Sequence, residues 1–151
     1  MNSKVAAIRT LFLEPKPTYS PAEAAGLLGM SFEDMRGWLL SGELESVRVG
    51  GVWVLPWKEL VSFGIDFWSQ EVVEEALGAE LAAAIPELLR LEDFAARLPR
   101  IEIVALERLA ARDGISRNAA LSRELRDVMS AHSQWLSAEV PGFAAALRWP
   151  G

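Results

Sequence analysis

The sequence predicts a mainly α-helical chain with one small β-hairpin and, in its second half, a helical dimerisation unit. Three observations carry this prediction. Serine-capped segments with helical apolar spacing flank glycines at positions 29 and 114. The spacing changes to alternation only once, around Gly50-Gly51. Of the 151 residues 51% are hydrophobic and 24% charged, which suffices for a core and is too apolar for a disordered chain.

Ser20-Pro21-Ala22-Glu23 has the pattern of a helix start, with Ser20 as cap, Pro21 at the first helical position and Glu23 reaching back. The helix runs through Leu27 and Leu28 to Gly29, and Ser31 caps a second helix ending near Ser41. Two short helices joined by a glycine-containing turn form a helix-turn-helix pattern. Val47 and Val49, the Gly50-Gly51 turn and Val52 to Leu55 then predict a hairpin. Pro56 ends it, and a short helix follows over Trp57 to Phe63.

The run Tyr19 to Ser31, followed by Trp38, Ser41-Gly42-Glu43-Leu44, Val47-Arg48-Val49-Gly50 and Trp53, resembles the excisionase-like winged helix-turn-helix domains related to the MerR type. The resemblance covers residues 17–63. It implies that the second helix enters the major groove of DNA and that the hairpin contacts phosphate or the minor groove. Ser31, Arg36, Arg48 and Lys58 are the matching DNA-binding candidates. Members of that family usually carry basic residues just after the second cap and on the wing. This chain has Phe32, Glu33 and Asp34 on the helix and Gly51, Val52 and Val54 on the hairpin. Two acids there suit the helix dipole and repel phosphate, so a packing or interaction module stands beside the DNA-binding one.

Residues 64–90 hold one basic and six acidic side chains and predict an acidic helical connector, with one helix over Ser69 to Leu77 and another around Glu80 to Leu91 broken at Pro86. Its charges are read as a solvated face, with phosphate mimicry as the functional alternative.

From residue 97 to 132 seven arginines face five acids. Ile103, Leu106, Leu109 and Ala110 mark a helix that ends at Gly114, and Ser116 caps another on which Leu121, Leu125, Val128, Met129 and His132 share a face. That second helix is expected to reach about Leu136. With Arg97-Leu98-Pro99 ahead of it and Ser116-x-Asn118 between the helices, residues 91–136 resemble the ribbon-helix-helix fold. This resemblance implies an obligate dimer whose paired strands, here Glu92 to Leu98, enter the major groove. Alternation places Asp93, Ala95 and Arg97 on the ribbon face and Phe94, Ala96 and Leu98 toward the core, leaving Arg97 to read bases and Ser116 to hold phosphate. Helix propensity over Leu91 to Ala96 allows the same segment to be helical instead. Ile103, Leu106, Leu109, Leu121, Leu125 and Val128 are the expected dimer contacts, because two short helices cannot bury such faces alone. The apolar tail, 137–151, is expected to fold back over the dimer or the winged unit; its alternative role is docking a second protein, as in antitoxins.

A formal charge of −6 and a pI near 4.9 exclude a protein that coats nucleic acid and leave local basic surfaces as the route to DNA. No cysteine is present, so disulfides and thiolate chemistry are excluded, and a cytoplasmic location fits. Leu77 to Leu91 is interrupted by Glu80, Pro86 and Glu87 and predicts no membrane span. The single histidine, His132, lies on an apolar face without a nucleophile pattern and is expected in a core or interface. Neighbouring acids such as Glu33-Asp34 and Glu74-Glu75 diverge around a helix, which is poor geometry for a metal or for acid-base work. The six tryptophans are expected to fill cores. No catalytic residue, cofactor or metal is expected. The sequence reading is therefore a homodimeric, sequence-specific DNA-binding regulator of double-stranded DNA, with Arg36 and Arg48, in the better-matched motif, favoured over Arg97 for contact. The alternative is an antitoxin-like or adaptor module that has lost part of its DNA contacts.

Overall fold

The computed structural model describes residues 2–151, a mainly helical chain with a small three-stranded antiparallel sheet. It divides into two compact units, one comprising the chain up to Leu91 with Arg148–Gly151 and the other Glu92–Leu147.

The first unit begins with a helix absent from the sequence reading, α1 (Ser3–Leu13), capped by the Asn2 side chain, which accepts from the Lys4 amide at 2.8 Å. Ile8 and Leu11 on this helix are fully buried. The residue that would donate to the Leu11 carbonyl, four positions on, is Pro15, which has no N–H. The Trp57 indole N–H donates to that carbonyl instead, at 2.8 Å. Arg9 extends to the far end of another helix, donating to the Ala76 and Leu77 carbonyls at 3.2 Å and pairing with Glu80 at 2.9 Å. A cation at a helix C-terminus suits the carbonyl dipoles exposed there.

Strand β1 (Thr18–Tyr19) leads to α2 (Pro21–Leu28), whose reciprocal cap forms between Ser20 and Glu23. Gly29, at φ 68°, makes the left-handed turn that a side chain would strain, and Ser31 caps α3 (Phe32–Ser41) by accepting from the Asp34 amide at 3.1 Å. Strands β2 (Val47–Val49) and β3 (Val52–Pro56) pair across Gly50 and Gly51. Both glycines have positive φ, as the hairpin turn that follows strand twist demands. The sheet order is β1-β3-β2, with Tyr19 opposite Leu55. Helix α4 (Trp57–Trp68) outruns the expected Phe63, and Ser69 then caps α5 (Gln70–Leu77).

The rest of the connector is two 3₁₀ turns and one four-residue helix, α6 (Leu81–Ala84). It packs by Ile85, which is 2% exposed, and is pinned where Glu74 accepts from the Leu91 amide at 2.8 Å and Gln70 donates to the Leu89 carbonyl. The core gathers Ile8, Leu11, Met35, Leu44, Leu55, Leu60 and Leu77 from almost every element, and Trp149 from the chain's end packs against it.

The second unit holds α7 (Arg100–Asp113), α8 (Arg117–Ala131), α9 (Ser133–Glu139) and α10 (Phe143–Arg148). Gly114 and the Ser116 cap fall where the sequence places them. Two expectations are corrected, the extent of the second helix and the burial of the tryptophans. The second helix does not run to Leu136: His132 leaves helical geometry at φ −116°, ψ 16°, and within this chain it is exposed and not in a core. Glu92–Leu98 is not helical, and the ribbon expected there requires a second chain. Trp135 is 63% exposed, whereas Trp68 is buried and Trp38, Trp53, Trp57 and Trp149 pack on the first unit's core.

Asp113 joins the end of α7 to α8 by accepting from Arg112 at 2.9 Å and Arg123 at 2.7 Å. Hydrogen bonds from Arg112 and then Arg123 hold its carboxyl down at about 2, against 3.8 for a free aspartate. A lowered folded value means that the carboxylate's stabilisation is present above the unfolded value and is lost as the pH falls through the folded one. Carbon-13 NMR of the Asp113 carboxyl should therefore give a midpoint near 2, which Arg112→Ala and Arg123→Ala each raise toward 3.8. An unshifted midpoint in the wild type would remove this tie. In the first unit, Trp57→Phe replaces the indole by a smaller aromatic ring without a donor and strands the Leu11 carbonyl. It should cost about 1–3 kcal/mol in urea unfolding, and a neutral result would mean that water replaces the indole.

Candidate nucleic-acid interface

Residues 17–63 present two outer surfaces, on α3 and on the hairpin, and helical period decides what α3 presents. Met35 and Leu39 face the core, so Glu33, Gly37 and Leu40, at i, i+4 and i+7, form the outward face, with Arg36 beside it. A carboxylate, a glycine and a leucine that is 65% exposed thus occupy the helix face that would enter a groove. Ser31 is engaged as cap, and Phe32 is exposed next to it.

Alternation does the same for the hairpin. Leu55 is buried, so Trp53 shares its face and the cross-strand partner Arg48 lies there too, its guanidinium 5.0 Å from the Trp53 ring centre. The opposite face is entirely valine: Val47 pairs with Val54 and Val49 with Val52. Three of the four, Val47, Val49 and Val52, are more than half exposed. Lys58 is exposed in the first turn of α4. Arg36, Arg48 and Lys58 have no carboxylate partner among the described residues. They nevertheless share the α3 and hairpin region with Glu33, Asp34, Glu43 and Glu45, all exposed. The valine face was legible in the alternation of β2 and β3 and was missed because the strands were read only as a wing.

In the second unit α7 packs on α8, and Arg117 pairs with Glu107 at 3.3 Å in addition to the Asp113 tie. Ile103, Leu106, Leu109 and Leu121 are half-buried, while Leu125 and Val128 are each 52% exposed. Among the described residues, the only buried hydrophobics of this unit are Ala110, Ala120 and Ala146. Phe94, at 85% exposure, Leu98 and Ile101 stand in water at its start. Arg97, Arg100, Arg108 and Arg126 are exposed and have no ion-pair partner among the described residues. Ser116 caps α8 through its hydroxyl, which accepts from the Ala119 amide at 3.0 Å. Arg97 and Ser116 are on different segments of this unit, and Ser31, Arg36, Arg48 and Lys58 belong to the other, so the expected DNA contacts form two sets.

No three side chains of the metal-binding types converge, and no helix is long and apolar enough to cross a membrane, among the described residues. No protein-family model, curated protein or solved structure matches the chain.

Proposed function

We propose that the chain is a homodimeric transcriptional regulator that binds double-stranded DNA, with residues 91–136 as a ribbon-helix-helix-like dimerisation unit and residues 17–63 as a winged helix-turn-helix. One observation carries the reading: the second unit exposes Phe94, Leu98, Ile101, Leu125 and Val128 and leaves Glu92–Leu98 without a partner strand. Exposed apolar side chains gathered in one small unit are costly in water. A second copy removes that cost by covering the apolar faces, with the two Glu92–Leu98 segments pairing as a ribbon. Alternation then turns both copies of Arg97 outward on one ribbon, with Arg100 just beyond Pro99. Arginine is the side chain best fitted to guanine edges and to phosphate.

The face of α3 supports a second reading for the winged half. Glu33, Gly37, Leu40 and the valine face suit a protein surface better than a phosphate backbone, so the ribbon is the preferred DNA contact and the winged half an interaction module. This reverses the preference for Arg36 and Arg48 that the better-matched motif suggests.

Light scattering should give a dimer at micromolar concentration and a monomer for Leu125→Glu, which places a charge in the proposed interface. A monomeric wild type sinks the dimer. For DNA, fragments selected from a random pool and rebound at two salt concentrations should lose affinity with Arg97→Ala by about 1–3 kcal/mol per base contact. Arg36→Ala with Arg48→Ala should spare most of it. The reverse pattern assigns recognition to the winged helix; a wild type that binds nothing at low salt leaves only the interaction module.

A further inference from the structure

The first unit contains an open cleft that the ribbon reading does not use, running along α3 from Met30 to Glu43 and reaching Phe67 at the end of α4, with a volume of about 750 Å³. Its apolar lining is Met30, Trp38 and Phe67, and its acidic lining is Glu33, Asp34 and Glu43. No lysine or arginine lines it among the described residues. Trp38 and Phe67 belong to an aromatic row through Phe63, which meets Trp38 edge-on at 5.4 Å and stacks on Phe67 at 5.9 Å, and Phe67 in turn meets Trp68 edge-on at 6.5 Å. The row fixes both rings while Phe67 stays 46% exposed. None of the three carboxylates has an ion-pair partner among the described residues.

We propose that this cleft docks an amphipathic segment of a partner protein whose apolar side chains cover Phe67 and Trp38 and whose arginines or lysines meet Glu33, Asp34 and Glu43. Charge decides among occupants of the apolar groove. A nucleic acid brings phosphates against three carboxylates. A second copy of the same cleft brings three more carboxylates. A purely apolar segment removes water from the acids without replacing it. An arginine or lysine satisfies both features at once, since its stem packs on apolar surface, its charge is attracted by aromatic faces, and its N–H groups donate to carboxylates. The inference does not rest on the DNA reading: it concerns the other unit and stands if the ribbon binds nothing.

The test uses the full chain and a short peptide of leucine and arginine with helical amphipathic spacing, and reads the Trp38 indole N–H resonance and the anisotropy of the labelled peptide. A leucine-glutamate peptide of equal length is the control. The arginine peptide should bind, shift the Trp38 signal, and lose at least about tenfold in affinity in the triple variant Glu33→Gln, Asp34→Asn, Glu43→Gln, as expected when charge-assisted contacts are removed. The triple variant Glu71→Gln, Glu75→Gln, Glu87→Gln, which removes equal charge from exposed positions of the connector, should bind as the wild type does. Phe67→Ala, with its fold checked by circular dichroism, should weaken binding as well. The proposal is overturned if the arginine peptide does not bind, if the two triple variants lose affinity equally, or if the glutamate peptide binds as tightly. A DNA duplex that shifts Trp38 when the peptide does not also overturns it, and so does self-association through the cleft that the first triple variant abolishes.

Discussion

Burial of α1 is the constraint on which the N-terminal unit depends. A helix-turn-helix with a three-stranded sheet has too little interior to fold well on residues 17–63 alone, because small domains bury too small a fraction of their surface. Ile8 and Leu11 add a further layer to it, and Arg9 and the Leu11 carbonyl tie that layer to α5 and α4 by hydrogen bonds. These bonds do more than add energy. Pro15 ends the helix and orphans a carbonyl; the Trp57 indole satisfies it from the residue where β3 turns into α4, so one contact sets the position of the hairpin's exit relative to α1. Helices α2 and α3 and the hairpin are thus held from behind, and Glu33, Leu40, Val47, Val49 and Val52 on the outer side are left exposed.

That freedom explains the odd composition of its outer surface. Met35, Leu39, Leu44 and Leu55 are buried and fix α3 and the hairpin, whereas Glu33, Leu40, Val47, Val49 and Val52 contribute little to folding. Exposed apolar residues clustered on one surface are the feature on which the proposed partner contacts rest. The second unit poses the same problem more sharply. α7 closes at the left-handed Gly114, Ser116 caps α8, and ion pairs tie the two, yet alanines are the only buried hydrophobics among the described residues of this unit, so local chemistry and surface charge shape a helix pair that lacks a core of its own.

Much of this was legible because caps and turns are local. Ser20-Pro21-Glu23, Gly29 with Ser31, Gly50-Gly51 and Gly114 with Ser116 each satisfy backbone groups within a few residues, so their chemistry marks element ends without knowledge of the fold. Helix α1 escaped because Ala6 and Ala7 blur its apolar face and Arg9 interrupts what reads as a short run; its burial depends on α5, which is distant in sequence. The break at His132 escaped because no glycine or proline marks it. Helix α4 was cut at Phe63 because Gly64 follows, although this glycine sits inside the helix, where an added Cβ would lie 3.0 Å from the Trp68 ring. For the candidate sites, residue types were legible and their neighbours were not. Trp38 and Phe67 are far apart in sequence and meet only through Phe63.

The charge balance adds a last constraint on how the two units act. A chain of net charge −6 gains little from a long-range field around DNA, so any affinity must come from arginines brought close together. A single copy of Arg97 and Arg100 beside Glu92 and Asp93 offers two cations against two acids. In the proposed dimer, pairing changes the geometry rather than the sum: strand alternation would separate Arg97 from Phe94 and Leu98 and turn both copies of Arg97 to one face, together with Asp93. DNA affinity would then come from close contacts of Arg97 and Arg100 rather than from a net cationic surface, so under that proposal loss of the dimer and loss of DNA contact go together.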